Sequence, residues 1–304
     1  MKVIITGATG FVGSRLVQRL KERGDQITIL TRRPERAQAL FPKVAYPNLT
    51  CVAYEPKQAG PWQDSVDGCD GVVNLAGAPI AERWTPQYKR EVLESREQGT
   101  QRIVEAIAKA NQKPHVLVNS SAVGYYGTSE TAKFDEDSAP GSDFLAEVCQ
   151  RWEAAAQPVT ELGCRLVVLR TGIVLGEGGA LERMIPPFKL FAGGPVGTGR
   201  QWFSWIHRDD LVNLILRALD EASMSGVYNA TAPSPVRMQE FCSVLGQVMG
   251  RPSWLPVPEF ALELLLGEAA TVVLEGQQVI PERAKASEFE FTYPSVTGAL
   301  RDIL

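Results

Sequence analysis

Short, largely apolar runs alternate with amphipathic stretches through the first half of the chain. The runs Val3–Thr6, Ile27–Thr31, Cys51–Tyr54, Gly71–Leu75, Val116–Ser120 and Leu166–Leu169 are continuous rather than alternating, as strands buried on both faces of a parallel sheet are. Between them, Phe11–Arg23, Pro34–Leu40, Pro86–Ala110 and Phe144–Leu162 carry apolar positions at helical spacing. This alternation predicts an α/β fold: a Rossmann-type, doubly wound parallel sheet with right-handed crossovers.

Beyond Thr171 the texture changes. Glycine and proline cluster in Gly176–Gly179, Pro186–Pro187 and Gly193–Gly199, followed by short helical and extended pieces. These predict a smaller C-terminal α/β lobe laid over the strand ends, where open α/β sheets bind ligands. The expected division is residues 1–170 for the sheet domain and 171–304 for the lobe, partly interleaved with it.

Composition narrows the picture. With 304 residues, 44% hydrophobic and 22% charged, the chain can build a large packed core. A net charge of −4 gives no reason to expect nucleic acid as a partner. Cys51, Cys69, Cys149, Cys164 and Cys242 are scattered without C-x-x-C spacing. They read as reduced thiols packed like small hydrophobes, and no cluster has metal-ligand spacing. No signal-peptide pattern opens the chain, and the most apolar stretch, Phe260–Leu274, is interrupted by Glu263, Gly267 and Glu268. No transmembrane segment is expected. The expected setting is cytoplasmic, with peripheral attachment to a membrane left open.

Chemistry enters at the first loop. Gly7-Ala8-Thr9-Gly10-Phe11-Val12-Gly13 joins the first strand to the first helix. Gly7 suits a tight turn, Gly10 admits a pyrophosphate against the backbone, and Gly13 permits close helix–strand packing. The amides of Thr9, Phe11, Val12 and their neighbours then face an anion at a helix N-terminus. The second strand ends Leu30-Thr31-Arg32-Arg33, with no acid before Pro34. NAD sites place an acid about 20 residues after the glycines, whereas two guanidiniums can clamp a 2′-phosphate. NADP(H) is therefore the expected cofactor; the alternative is that Arg32 and Arg33 merely face solvent. Glu35 is expected in a helical first turn.

Further motifs carry a resemblance. Asn74-Leu75-Ala76-Gly77, Ser120-Ser121-Ala122-Val123-Gly124-Tyr125-Tyr126-Gly127, Leu169-Arg170-Thr171-Gly172, Trp205-Ile206-His207-Arg208-Asp209-Asp210, Tyr228-Asn229-Ala230 and Pro281-Glu282-Arg283-Ala284 span nearly the whole chain. With the glycine loop they resemble extended short-chain dehydrogenases, in particular the subgroup called epimerase family proteins. That subgroup includes SulA-like proteins of cyanobacteria and plastids, linked to cell or chloroplast division. The resemblance implies that Leu75, Ala76, Gly77, Arg96, Ser120 and Thr171 join the glycine loop around the cofactor.

The superfamily's chemistry uses a Tyr-x-x-x-Lys pair, in which the lysine lowers the tyrosine pKa for proton exchange with substrate. Here those positions are Phe144 and Val148, the usual serine falls on Ala122 beside Ser121, and an expected Asn is Arg96. Tyr125, Tyr126 and Ser121 are the candidates to replace the missing groups; packing roles for the two tyrosines stay open. His207 reads as a helix-start or inter-lobe contact, and Glu136 and Asp137 as solvated loop or capping groups. Two functions follow. One is an NADPH-binding regulatory or scaffold protein with a division-machinery partner. The other is an NADPH-dependent reductase or epimerase-like enzyme on a sugar-nucleotide or other carbonyl substrate in the lobe cleft, with Gly193–Gly199 as a lid.

Overall fold

The computed structural model describes residues 1–304. The first half runs β1 (Lys2–Thr6), α1 (Phe11–Glu22), β2 (Gln26–Thr31), α2 (Pro34–Leu40), β3 (Leu49–Ala53), β4 (Gly71–Asn74), α3 (Pro86–Lys109) and β5 (Val116–Ala122). There follow β6 (Lys133–Phe134), α4 (Phe144–Ala156), β7 (Arg165–Thr171), β8 (Ile173–Leu175), α5 (Gly179–Lys189), β9 (Trp202–Phe203), β10 (Trp205–His207) and α6 (Arg208–Asp220). The chain ends with β11 (Gly226–Ala230), β12 (Val236–Arg237), α7 (Met238–Met249), α8 (Glu259–Leu266), α9 (Thr271–Leu274), β13 (Gln278–Val279), α10 (Glu282–Ala286) and α11 (Val296–Ile303).

Seven strands form one parallel sheet in the order β11-β7-β5-β4-β1-β2-β3. Successive β1 side chains point to opposite faces, so Ile5 packs with Leu16 and Leu20 of α1 and Leu214 of α6. Ile4 packs instead with Ile103 and Ile107 of α3. Both faces are thereby covered, which is why these strands are apolar runs rather than alternating ones. A third core, around Trp205, Phe241 and Leu300, holds the lobe together. The strand order reverses between β1 and β4, opening a crevice at their C-terminal ends.

Three features differ from the sequence expectation. The helix expected over Phe144–Leu162 stops at Ala156, and residues Gln157–Leu162 tighten into a 3-10 turn. Pro158 lies in the first turn of that segment and has no N–H to continue the α ladder. Gly226–Ala230 forms the sheet's seventh strand although its Gly-Val-Tyr-Asn-Ala sequence is no apolar run. Glu136, expected in solvent, is 6% exposed because its carboxylate accepts from the backbone amides of Asn229 and Arg283. Asp137 is exposed and pairs with Arg283.

Candidate functional site

The crevice is built from the β1–α1 loop upward. Gly7 has φ +70°, and a Cβ there would lie 2.8 Å from the Leu75 carbonyl carbon. Gly13 is stricter, since a Cβ would stand 2.3 Å from the Gly7 carbonyl oxygen. A Cβ on Gly10 would meet only that same oxygen, at 3.2 Å, a tight contact but a far milder one than at Gly13. Gly10 is exposed, extended and leads α1 with no side chain capping the helix. The first turn of α1 therefore offers free amides to an anion.

Thr6, at the end of β1, braces the opposite wall. Its hydroxyl donates to Asn74 Oδ1 at 2.7 Å and accepts from the Leu75 and Ala76 amides at 3.1 Å each. Asn74 in turn donates to Thr100 Oγ1 and Asn119 Oδ1, at 2.9 and 2.7 Å. This buried polar chain sets the shape of the Leu75–Gly77 turn. The lobe closes over the same loop, where the Arg208 guanidinium lies 5.0 Å from the Phe11 ring centre and Gly176 and Gly179 face that ring. Arg15 on α1 grips Asp209 on α6 through two hydrogen bonds of 2.8 Å.

Arg32 and Arg33 are exposed at the end of β2 and neither forms an ion pair within the chain. Glu35 lies in the first turn of α2, behind Pro34, as its position in the sequence suggests. Thr9 is exposed, Phe11, Val12, Ser120 and Thr171 are half-buried, and Thr171 donates to the Leu169 carbonyl at 3.3 Å. Gly77 is exposed, with the Arg96 guanidinium directly beneath it.

Phe144 and Val148, which the resemblance sets at the tyrosine and lysine positions, are packing residues on α4. The Phe144 ring meets Trp84 edge-on at 5.2 Å, and the Lys89 ammonium sits 4.6 Å above it. Val148 is 3% exposed and carries no charge. Ser121 is buried and donates to Glu153 Oε1 at 2.6 Å. Glu153 is also held by Arg170, whose Nη1 donates to the Tyr126 hydroxyl at 3.0 Å. Tyr126 donates its own proton to Asn229 Oδ1 at 2.7 Å, and burial pushes its pKa up to about 12. Tyr125 is half-buried with its ring against the Arg170 guanidinium, 3.3 Å from ring centre to Cζ. The three candidates are thus neighbours, with Ser121 and Tyr126 committed to a buried network and Tyr125 at its edge.

Thr6, Glu153, Arg170 and Asn229 shape this region without having been singled out from the sequence. Arg170 directly follows the apolar run Leu166–Leu169 and lies inside β7 (Arg165–Thr171), where a buried guanidinium requires a partner. His207 serves a structural role: its Nδ1 accepts from the Asp209 amide at the start of α6 and its ring lies 3.9 Å from that of Tyr293. Cys69, Cys164 and Cys242 are buried with pKa values pushed up to about 12, and Cys149 to about 11. No helix is long and apolar enough to cross a membrane.

A parallel sheet with a glycine loop at its switch point and a lobe over the crevice defines a dinucleotide-fold protein of the extended short-chain dehydrogenase type. The chain belongs to the NAD dependent epimerase/dehydratase family, which matches residues 3–231, while residues 257–303 match a domain of unknown function, DUF1731. It is 53% identical over 307 residues to the Arabidopsis thaliana epimerase family protein SDR39U1 homolog, chloroplastic, covering 100% of this chain and 87% of that protein. It is 41% identical to the Bacillus subtilis epimerase family protein YfhF, covering 100% of this chain and 98% of the relative. Among solved structures, human epimerase family protein SDR39U1 (isoform 2) with NADPH superposes with a TM-score of 0.88 at 37% identity, covering 100% and 99% of the two chains.

Proposed function

We propose that this chain binds NADP(H) in the crevice, with the pyrophosphate on the α1 amides and the 2′-phosphate on Arg32 and Arg33. We further propose that it acts as a cofactor-dependent regulatory or scaffold protein rather than through the superfamily's tyrosine–lysine chemistry. The sequence resemblance suggests a division-linked form of that role, with a division-machinery protein as partner. One observation supports the reading: Phe144 and Val148, which the resemblance sets at the proton-transfer positions, are respectively clasped by Trp84 and Lys89 and buried. Neither can exchange a proton. The two unpaired arginines and the NADPH present in the human relative's structure support the choice of cofactor.

A second reading rests on Tyr125, which lies half-buried at the network's edge on the loop after β5, its ring against the Arg170 guanidinium. It is an NADPH-dependent reductase or epimerase-like enzyme on a sugar-nucleotide or other carbonyl substrate. The test incubates the NADPH-loaded protein with a panel of carbonyls and quinones and follows the nicotinamide absorbance. The regulatory reading expects tight binding with no oxidation above the cofactor-only rate. Turnover that Tyr125→Phe abolishes would overturn it in favour of the enzyme.

A further inference from the structure

Helix α8 is apolar and yet has no buried residue. It reads Glu-Phe-Ala-Leu-Glu-Leu-Leu-Leu, and Phe260, Leu264 and Leu265 are 71%, 78% and 69% exposed. Single exposed leucines are ordinary, but an apolar helix left wholly uncovered marks a surface that another molecule covers. The apolar surface continues beyond the helix. Trp254 is exposed, and its amide donates to the Gly193 carbonyl at 2.9 Å, close to the exposed Leu190 and Phe191 just past α5. A β-bridge between Val196 and Val257 joins these two strips of chain immediately before α8.

Charge says what covers this face. Glu259 and Glu263 lie about one turn apart on α8, and with Glu130, Glu268 and Glu275 they line a cavity of about 530 Å³. Glu268 has Lys89 at 2.8 Å and Glu130 has Arg200 at 3.7 Å, whereas Glu259, Glu263 and Glu275 have no cation within ion-pair distance. Like charges one turn apart weaken a helix, so Glu259 and Glu263 give α8 no support of their own. A cationic partner would turn that repulsion into attraction. Two other occupants fit the charge worse. A second copy of this chain, docked about a two-fold axis at α8, would set its own glutamates against these. A membrane surface carrying anionic lipid would repel them.

We propose that this face of the lobe docks a cationic amphipathic helix of another protein. The partner's apolar side chains lie over Phe260, Leu264 and Leu265, and its lysines or arginines reach the glutamates of the cavity. The proposal rests on the scaffold reading for there being a partner, and not on the cofactor.

The experiment titrates the chain, with and without NADPH, against a synthetic amphipathic helix of leucine and lysine about 18 residues long, by calorimetry. A twin with glutamate in place of lysine is the control. Wild type should bind one leucine–lysine helix per chain and not the twin. Phe260→Ser with Leu264→Ser should weaken binding about tenfold or more, and since α8 has no buried residue the variant should fold. Glu259→Lys with Glu263→Lys should weaken it about tenfold or more and admit the glutamate twin. NADPH affinity should change less than about threefold in both variants, which reports that they are folded. No binding of the leucine–lysine helix, equal binding of both helices, or an affinity that either double variant leaves unchanged overturns the proposal. Sedimentation that shows a wild-type dimer, abolished by Phe260→Ser with Leu264→Ser, overturns it in favour of a second copy. Attachment to vesicles of phosphatidylcholine and phosphatidylglycerol without binding of the helix overturns it in favour of a membrane. Tyr125-dependent turnover of a carbonyl would defeat the scaffold reading alone, and the helix titration still decides the docking face.

Discussion

Arg170 on β7 and Glu153 on α4 meet in a two-point ion pair, Nε to Oε1 at 2.9 Å and Nη2 to Oε2 at 2.8 Å, with Arg170 only 4% exposed. The pair fastens α4 to the sheet and positions Ser121 and Tyr126 around it. Glu153→Gln leaves the buried Arg170 guanidinium without its counter-ion. A loss of about 3 kcal/mol is expected, at the lower end for breaking a buried pair because Glu153 keeps some contact with water. Chemical denaturation checks this, and a loss under about 1 kcal/mol would show the pair to be peripheral.

The glycines of the first loop separate stability from binding. Gly13→Ala sets a methyl group 2.3 Å from the Gly7 carbonyl oxygen and should destabilise the fold or abolish it. Gly10→Ala meets the same oxygen at 3.2 Å, a tight contact that a loop shift of a few tenths of an ångström relieves, so the protein should fold with a lowered melting temperature. NADPH affinity should nevertheless fall about tenfold or more, because the added methyl stands where the pyrophosphate approaches. An unchanged affinity in Gly10→Ala would mean that the phosphates lie elsewhere.

The contrast between those two glycines was only partly legible in the sequence. The strand–loop–helix unit is local, its glycines serve turns within a few residues of themselves, and so the nucleotide crevice could be read from residues 3–33 alone. The partners of Arg170 could not be read, because Glu153, Tyr126 and Glu136 come from three other segments. Strand β11 escaped for a related reason: Asn229 is polar by pattern yet 0% exposed, satisfied by Tyr126, Glu136 and the Ile280 carbonyl. The lobe's strands of two or three residues are set by tertiary contacts such as Ser204 to Gln277 and Val279, which leave no periodicity.

His207 makes stability depend on pH in a definite direction. Burial holds its pKa below the ordinary 6.5, against the opposing pull of Asp209, Asp302 and Asp210. The neutral ring is the form that accepts the Asp209 amide through Nδ1. A folded-state pKa below the unfolded one means that the unfolded chain binds the proton more readily. The contribution is therefore whole above pH 6.5 and is lost as pH falls from there through the lower folded value. His207→Asn keeps an acceptor at the helix start and removes the titration. Thermal melts between about pH 7.5 and pH 5, which span the ordinary histidine range, should show a steeper fall for wild type than for the variant. Parallel curves would assign the pH dependence to other groups.

The central claim is that this crevice takes the phosphorylated dinucleotide, read by Arg32 and Arg33. Calorimetric titration of wild type and of the Arg32→Ala, Arg33→Ala double variant with NADPH and with NADH tests it directly. The account predicts that wild type prefers NADPH and that the double variant loses about a hundredfold for NADPH while changing less than about threefold for NADH, as loss of two charge-assisted phosphate contacts requires. Equal losses for both cofactors, or a wild type that prefers NADH, would contradict it.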